Sequence, residues 1–200
     1  MGRKSKADDR RKEILSYFYD VIIDEGFEGA SFAKIAKRMD VNPSLLVHYF
    51  SNKDAMVLGL IEYVVDIYAA QILPDFSEVA DPAERWDDVI DVISKIQWDL
   101  FINSTVFYSA YTLALRNDEI KQQFMELYQG VRERLQEEVV FASEAGIINI
   151  EDPKRASELI IMVMEGANYF SNVWQDPPSR EEQHQLLRDT FTHMFQSGKV

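Results

Sequence analysis

Ser44, Leu45 and His48, with Lys34 a little upstream, are the side chains whose types and spacing suit recognition chemistry. A serine hydroxyl donates and accepts, an imidazole hydrogen-bonds through its ring nitrogens, leucine packs against a methyl group and lysine supplies a point charge. The groups that catalysis demands are not gathered in this way. The three histidines are His48, His184 and His193, and the last two sit nine residues apart, on no common face for a metal. There is no cysteine, no zinc-ligand spacing and no glycine-rich phosphate loop. The carboxylates read as solvated helix faces. No catalytic residue, no metal site and no cofactor are expected.

The stretch Ser31 to Asp54, SFAKIAKRMDVNPSLLVHYFSNKD, must position these side chains. Ser31 is placed to cap a helix whose apolar face is Phe32, Ile35 and Ala36 and which stops near Met39. Asp40 and Val41 make a turn. Asn42 caps the next helix and Pro43 takes its first position, where a missing N–H costs nothing. Leu46, Tyr49 and Phe50 face inward, which leaves Ser44, Leu45 and His48 pointing out. Ser51-Asn52-Lys53-Asp54 then reads as a capping box opening a longer helix. A helix this short buries little of itself, so it is held out from a small core for contact, as in a helix-turn-helix.

Gly26, Phe27, Ser31, Ile35, Ala36, Val41, Tyr49, Phe50 and Lys53 together make this stretch resemble the DNA-binding domain of TetR-family transcriptional regulators. The motif resemblance covers roughly the first quarter of the chain; the remainder agrees in length and helical texture. Two positions depart from the pattern. Asp40 stands where the turn usually has glycine, and Val47 stands where a phosphate-touching tyrosine is common. Ser44, Leu45 and His48, with Lys34 reaching the edge, are then the candidates for a base-facing surface. Ser31, Lys53, Tyr49 and the helix starts near Ser31 and Ser51 would hold phosphates, and Asn42 and Pro43 would shape the entry.

The net charge of −13 is unevenly distributed. Residues 1–55 carry ten Lys or Arg against nine Asp or Glu, a net of +1, so residues 56–200 hold the other −14. A locally neutral to basic head on an acidic body is compatible with DNA, because the field at the contact surface governs phosphate contacts. Arg3, Lys4, Lys6, Arg10, Arg11 and Lys12 form a basic arm, expected to begin disordered and to follow phosphates or a minor groove. A frayed, solvated terminus is the alternative. Residues 1–12 are charged, so no signal peptide is expected, and no apolar run reaches the ~18 residues a membrane span needs. The expected compartment is the cytoplasm of a bacterium.

Ile14, Phe18, Val21 and Ile22 recur at helical spacing to Glu25, where Gly26 stops the helix. From Asp54 to about Gln71, Met56, Leu60, Val64 and Tyr68 face inward on a helix that reaches from head to body. A break with Pro74 and Pro82 follows, then a helix from Ala83 to Leu100 carrying Trp86, Val89, Ile93 and Ile96. Phe101 to Arg116 is apolar but studded with hydroxyl and amide groups. Asn117 and Asp118 open a helix to about Gly146, with Ile120, Phe124, Leu127, Val131, Leu135 and Val139 on one side and Gly130 marking close packing or a bend. Asp152-Pro153 starts a helix to Gln175, and Ser179 caps the last one, to about Phe195. The expectation is an all-α chain of about nine helices. A helix-turn-helix domain would occupy residues 1–55 and a helical effector-binding and dimerisation domain residues 56–200.

The resemblance further implies a homodimer formed by the last two helices, with Ile161, Met164, Phe170, Trp174, Leu187, Phe191 and Met194 at the seam. It implies a cavity for a small-molecule inducer among Trp98, Phe101, Asn103, Phe107, Tyr108, Tyr111, Phe124, Tyr128, Met162, Glu165, Asn168 and Tyr169. Aromatic walls with a few hydroxyl and amide groups suit a mostly apolar ligand. The function implied is repression from a palindromic double-stranded DNA operator. An activator of the same fold, and a helical interaction or scaffold module that keeps the head without binding an operator, are the alternatives.

Overall fold

The computed structural model describes residues 3–71, 73–95 and 103–196, which contain nine helices and no strand. They are α1 Arg3–Gly29, α2 Phe32–Met39, α3 Pro43–Tyr49, α4 Lys53–Gln71, α5 Pro82–Ser94, α6 Ser104–Ala114, α7 Asp118–Glu144, α8 Pro153–Val173 and α9 Arg180–Gln196. The residues fall into two compact units, drawn from Met1–Tyr68 with Ile102–Met125 and from Ala69–Phe101 with Glu126–Val200.

In the first unit, the expected helical stripes become the core. Ile14, Phe18, Val21 and Ile22 of α1 are buried, as are Ile35 and Ala36 of α2, Leu46 of α3, Phe50 and the Met56, Leu60 and Val64 row of α4. Each of these side chains larger than alanine contributes about 1.5–3 kcal/mol by leaving water. Gly26 breaks α1 with φ 72°, a left-handed conformation that glycine adopts without a Cβ penalty. α1 begins at Arg3, which corrects the expectation of a disordered arm. Lysine, arginine and alanine are good helix formers, and Arg10 donates to Glu13 one turn on, at 2.6 Å. The α4 cap is likewise Asn52 rather than Ser51, since Asn52 Oδ1 accepts the Ala55 N–H at 2.8 Å. α6 packs against α1, and the Asn103 N–H donates to the Tyr19 hydroxyl oxygen.

In the second unit, α5 packs against α8 and α9. Trp86 of α5 meets Phe195 of α9 edge to face at 5.1 Å, beside buried Val89, Ile93 and Phe191. Leu127, Val131, Leu135 and Val139 are buried along α7. Arg85 holds Glu138 through two hydrogen bonds of 2.7 and 2.8 Å while lying over the Phe141 ring. α5 ends at Ser94, short of the expected Leu100, where Lys95 leaves helical geometry (ψ 98°) and its N–H donates to the Asp91 and Val92 carbonyls; residues 96–100 lie outside the described residues. Ile96 lies outside the described residues, as does the Tyr68 side chain. Among the described residues nothing lies within 4 Å of where a Gly130 Cβ would stand, so packing against them does not explain it. Asp152 and Ser179 cap α8 and α9 as expected, Ser179 through a reciprocal exchange with Glu182.

Candidate functional site

A seven-residue helix does not persist alone, so α3 depends on its ends and on one buried row. Asn42 Oδ1 accepts the Ser44 N–H at 2.9 Å, and Pro43 occupies the first helical position. At the other end the Phe50 N–H donates to the Leu46 carbonyl, and both side chains are buried. The preceding turn is closed by Asp40 in the left-handed region (φ 53°, ψ 46°) and by the Val41 N–H on the Ala36 carbonyl. Asp40 therefore does what glycine does elsewhere in such turns.

The side chains left outside are Ser44, Val47 and His48, which recur at i, i+3 and i+4 and so share one face. Leu45, expected outside, is only partly exposed. Val47 is 53% exposed and presents, in place of Leu45, an apolar side chain on this face. In the sequence Val47 shows only as a departure from a common tyrosine, and its outward position is set by the fold. The His48 ring stands edge to face on the partly buried Tyr49 at 5.3 Å, which restricts its orientation. Asn42 and Pro43 are exposed at the start of this face.

Of the candidate phosphate contacts, Ser31 and Lys53 are already engaged within the chain, as are Lys34 and Arg38 of α2. Ser31 caps α2, its hydroxyl accepting the Lys34 N–H at 3.4 Å. Lys34 Nζ donates to Glu25 and to the Gly29 carbonyl, the latter at 2.8 Å. Arg38 pairs with Asp24, and that hydrogen bond holds its guanidinium above the ordinary value. Lys53 is partly buried and donates to the Phe27 carbonyl at 2.7 Å. This face can present a hydroxyl, an imidazole and a branched methyl pair to base edges, flanked by cations: the equipment of groove readout.

The expected ligand wall divides between the two units. In the first, Phe107 and Phe124 are buried edge to face at 5.7 Å, Tyr111 meets Phe124 at 5.9 Å while 46% exposed, Tyr108 meets Phe107 at 5.6 Å, and Asn103 caps α6. In the second, Tyr128 and Glu165 are partly buried and Asn168 is buried. Asn168 lines a cavity of about 220 Å³ with Ser171, Asn172, Pro177, Pro178, Arg180 and Gln183. Met162 and Tyr169 are 67% and 50% exposed. They lie off the buried row Ala156, Ile160, Met164 and Asn168, so neither walls the interior of that unit. Trp98 and Phe101 lie outside the described residues.

Of the expected dimer residues, Phe170 and Trp174 are exposed at 56% and 61%, and Ile161 and Met194 are partly buried. Met164, Leu187 and Phe191 are buried in their own unit, with no surface left for a second copy. Val173, not singled out from the sequence, shares the exposed apolar face of α8 with Phe170 and Trp174, and Leu186 is exposed on α9. Among the described residues no helix is long and apolar enough to cross a membrane, and no group of His, Cys, Asp or Glu is placed to hold a metal.

Residues 14–60 match the family described as bacterial regulatory proteins, tetR family, and residues 83–196 match the tetracyclin repressor-like, C-terminal domain. The HTH-type transcriptional regulator BetI of Rhizobium meliloti is 24% identical over 90% of this chain and 86% of its own length. The nucleoid occlusion factor SlmA of Vibrio campbellii is 27% identical over 66% of this chain and 68% of its own. A transcriptional regulator from Saccharomonospora viridis, solved in complex with choline, superposes with a TM-score of 0.80 at 16% identity, covering 93% of this chain and 97% of its own.

Proposed function

Because the chain belongs to the TetR family of bacterial regulators, whose members bind DNA through a helix-turn-helix and are not enzymes, we propose that it is a repressor. In this reading it binds a palindromic operator as a homodimer in the cytoplasm and is released by a small-molecule inducer. The domain division after residue 55 belongs to the same proposal, with the head reading DNA and the body binding effector and partner.

The observation that carries the DNA half is the exposed row Ser44, Val47 and His48 on a helix too short to be kept for packing. Ser44 and His48 hydrogen-bond to base edges, and Val47 packs against a thymine methyl. One such helix spans only a few base pairs, so a two-fold pair is needed for a specific site. The exposed apolar face of Phe170, Val173 and Trp174 on α8 supports the pairing, since an apolar patch of this kind on a helix is the usual mark of an interface.

The inducer is proposed to be mostly apolar with few polar atoms. Because a structural neighbour was solved with choline, and Glu165 places a carboxylate in an otherwise apolar stretch of α8, quaternary ammonium compounds head the set to screen.

Selection of bound duplexes from a random pool tests the reading. Enrichment of one two-fold symmetric sequence supports a dimeric operator reader. A folded protein that enriches nothing at low salt contradicts it and favours an interaction module.

A further inference from the structure

The cations of α2 are not waiting for phosphate; two of its three are already held. Lys34 is clamped between the Glu25 carboxylate and the Gly29 carbonyl, and Arg38 is held by Asp24. Both carboxylates stand in the last turn of α1 before Gly26 breaks it, so one short segment supplies both clamps. Lys37, between the two on α2, is exposed and has no ion pair among the described residues. The two pairs are open to water: the Lys34 and Glu25 side chains are 47% and 36% exposed, and those of Arg38 and Asp24 are 35% and 55%. An exposed pair is weak and exchangeable, so a phosphate oxygen can replace the carboxylate.

We propose that Asp24 and Glu25 attenuate DNA binding by competing with phosphate for Arg38 and Lys34, making each an affinity-setting residue of the reading head. The inference rests on the DNA-binding reading. On an arbitrary duplex, exchange gains little, since each cation leaves one anion for another and a carboxylate is left facing the backbone. On an operator, the base contacts of α3 supply the difference. The clamps thereby weaken the phosphate contacts on any duplex, so that stable occupancy depends on the added base contacts of α3, which matters when competing sites are abundant.

The test is fluorescence anisotropy with a short duplex of arbitrary sequence, titrated between about 50 mM and about 200 mM salt. The proteins compared are the full chain, Glu25→Gln, Asp24→Asn and Glu28→Gln. Glu28 is exposed on the same helix end without an ion pair among the described residues, so its neutralisation changes net charge equally while releasing no cation. A fifth protein, Glu25→Gln with Lys34→Met, checks that the gain runs through Lys34. Thermal unfolding confirms that each is folded.

The expected result is a plot of log K against log salt steeper by about 0.9 in Glu25→Gln and in Asp24→Asn, one released cation each. Glu28→Gln leaves the slope unchanged, and the Lys34→Met replacement removes the Glu25→Gln gain. Binding by the full chain with unaltered slopes in Glu25→Gln and Asp24→Asn overturns the clamps alone. An equal gain in Glu28→Gln also overturns them, in favour of a general field effect. No binding by any of the proteins contradicts the DNA reading and the clamps together.

Discussion

Lys53 Nζ donates to the backbone carbonyl of Phe27 at 2.7 Å, fastening the start of α4 to the end of α1. The same bond explains why a lysine stands at this point in the sequence without projecting into solvent. Replacing it by methionine keeps the aliphatic stem and deletes the charged donor. Lys53→Met is expected to cost about 1.5–3 kcal/mol, read as a lower urea midpoint.

Asp40 occupies the left-handed region at φ 53°. Glycine pays no Cβ penalty there, whereas a β-branched residue pays it in full. Asp40→Gly is expected to be neutral or to stabilise by up to about 1 kcal/mol, and Asp40→Val to destabilise by about 1–2 kcal/mol. A lower melting temperature for the glycine variant than for the valine variant would contradict this account of the turn.

Most of the fold was legible because its signals are local. Ser31, Asn42, Asp152 and Ser179 cap the helices they were expected to cap, and the Ile14, Phe18, Val21, Ile22 spacing became core. The division of apolar residues between a protomer's own core and a shared surface was not legible. α8 is apolar on more than one side, and periodicity does not say which side meets α5. Met164 therefore went to the seam by expectation and to the core in fact, while Val173 was missed. Lys34 and Lys53 show the same limit for charge: composition counts a cation, and only the fold shows that a carboxylate or a carbonyl already holds it.

The exposed apolar face of α8 yields a test of pairing. Phe170→Glu and Trp174→Glu place charges on surface that is water-exposed in the single chain, so each variant is expected to keep its helical circular-dichroism spectrum. Sedimentation should show a dimer for the natural sequence and a monomer for the double variant. A dimer that survives both substitutions would move the interface elsewhere.

Asp91 supplies a pH dependence. Burial pushes its carboxyl up, but the hydrogen bond and charge of Lys95, with His184 and Arg188 nearby, bring it below the ordinary value. A depressed carboxyl stabilises the fold above the ordinary carboxylate pKa of about 4, and this contribution is lost as pH falls through the folded value. Asp91→Asn should lower the urea midpoint at neutral pH and converge on the natural protein in strong acid. A gap that stays constant with pH would assign the effect to packing instead.

Arg85 and Glu138 are the buried counterpart of these surface pairs, with side chains 16% and 11% exposed. Glu138→Ala strands a guanidinium between α5 and Phe141 and is expected to cost about 3 kcal/mol. Calorimetry of that variant checks it, and a loss below about 1 kcal/mol would show that water replaces the carboxylate.

The role of α3 is tested most directly by repeating the random-pool selection with Ser44→Ala, Val47→Ala and His48→Ala beside the natural protein. The expected outcome is one two-fold symmetric site whose half-site spacing is kept by every variant, while preference relaxes at a different base position for each. An identical site from all four proteins would contradict the assignment of this face as the operator reader.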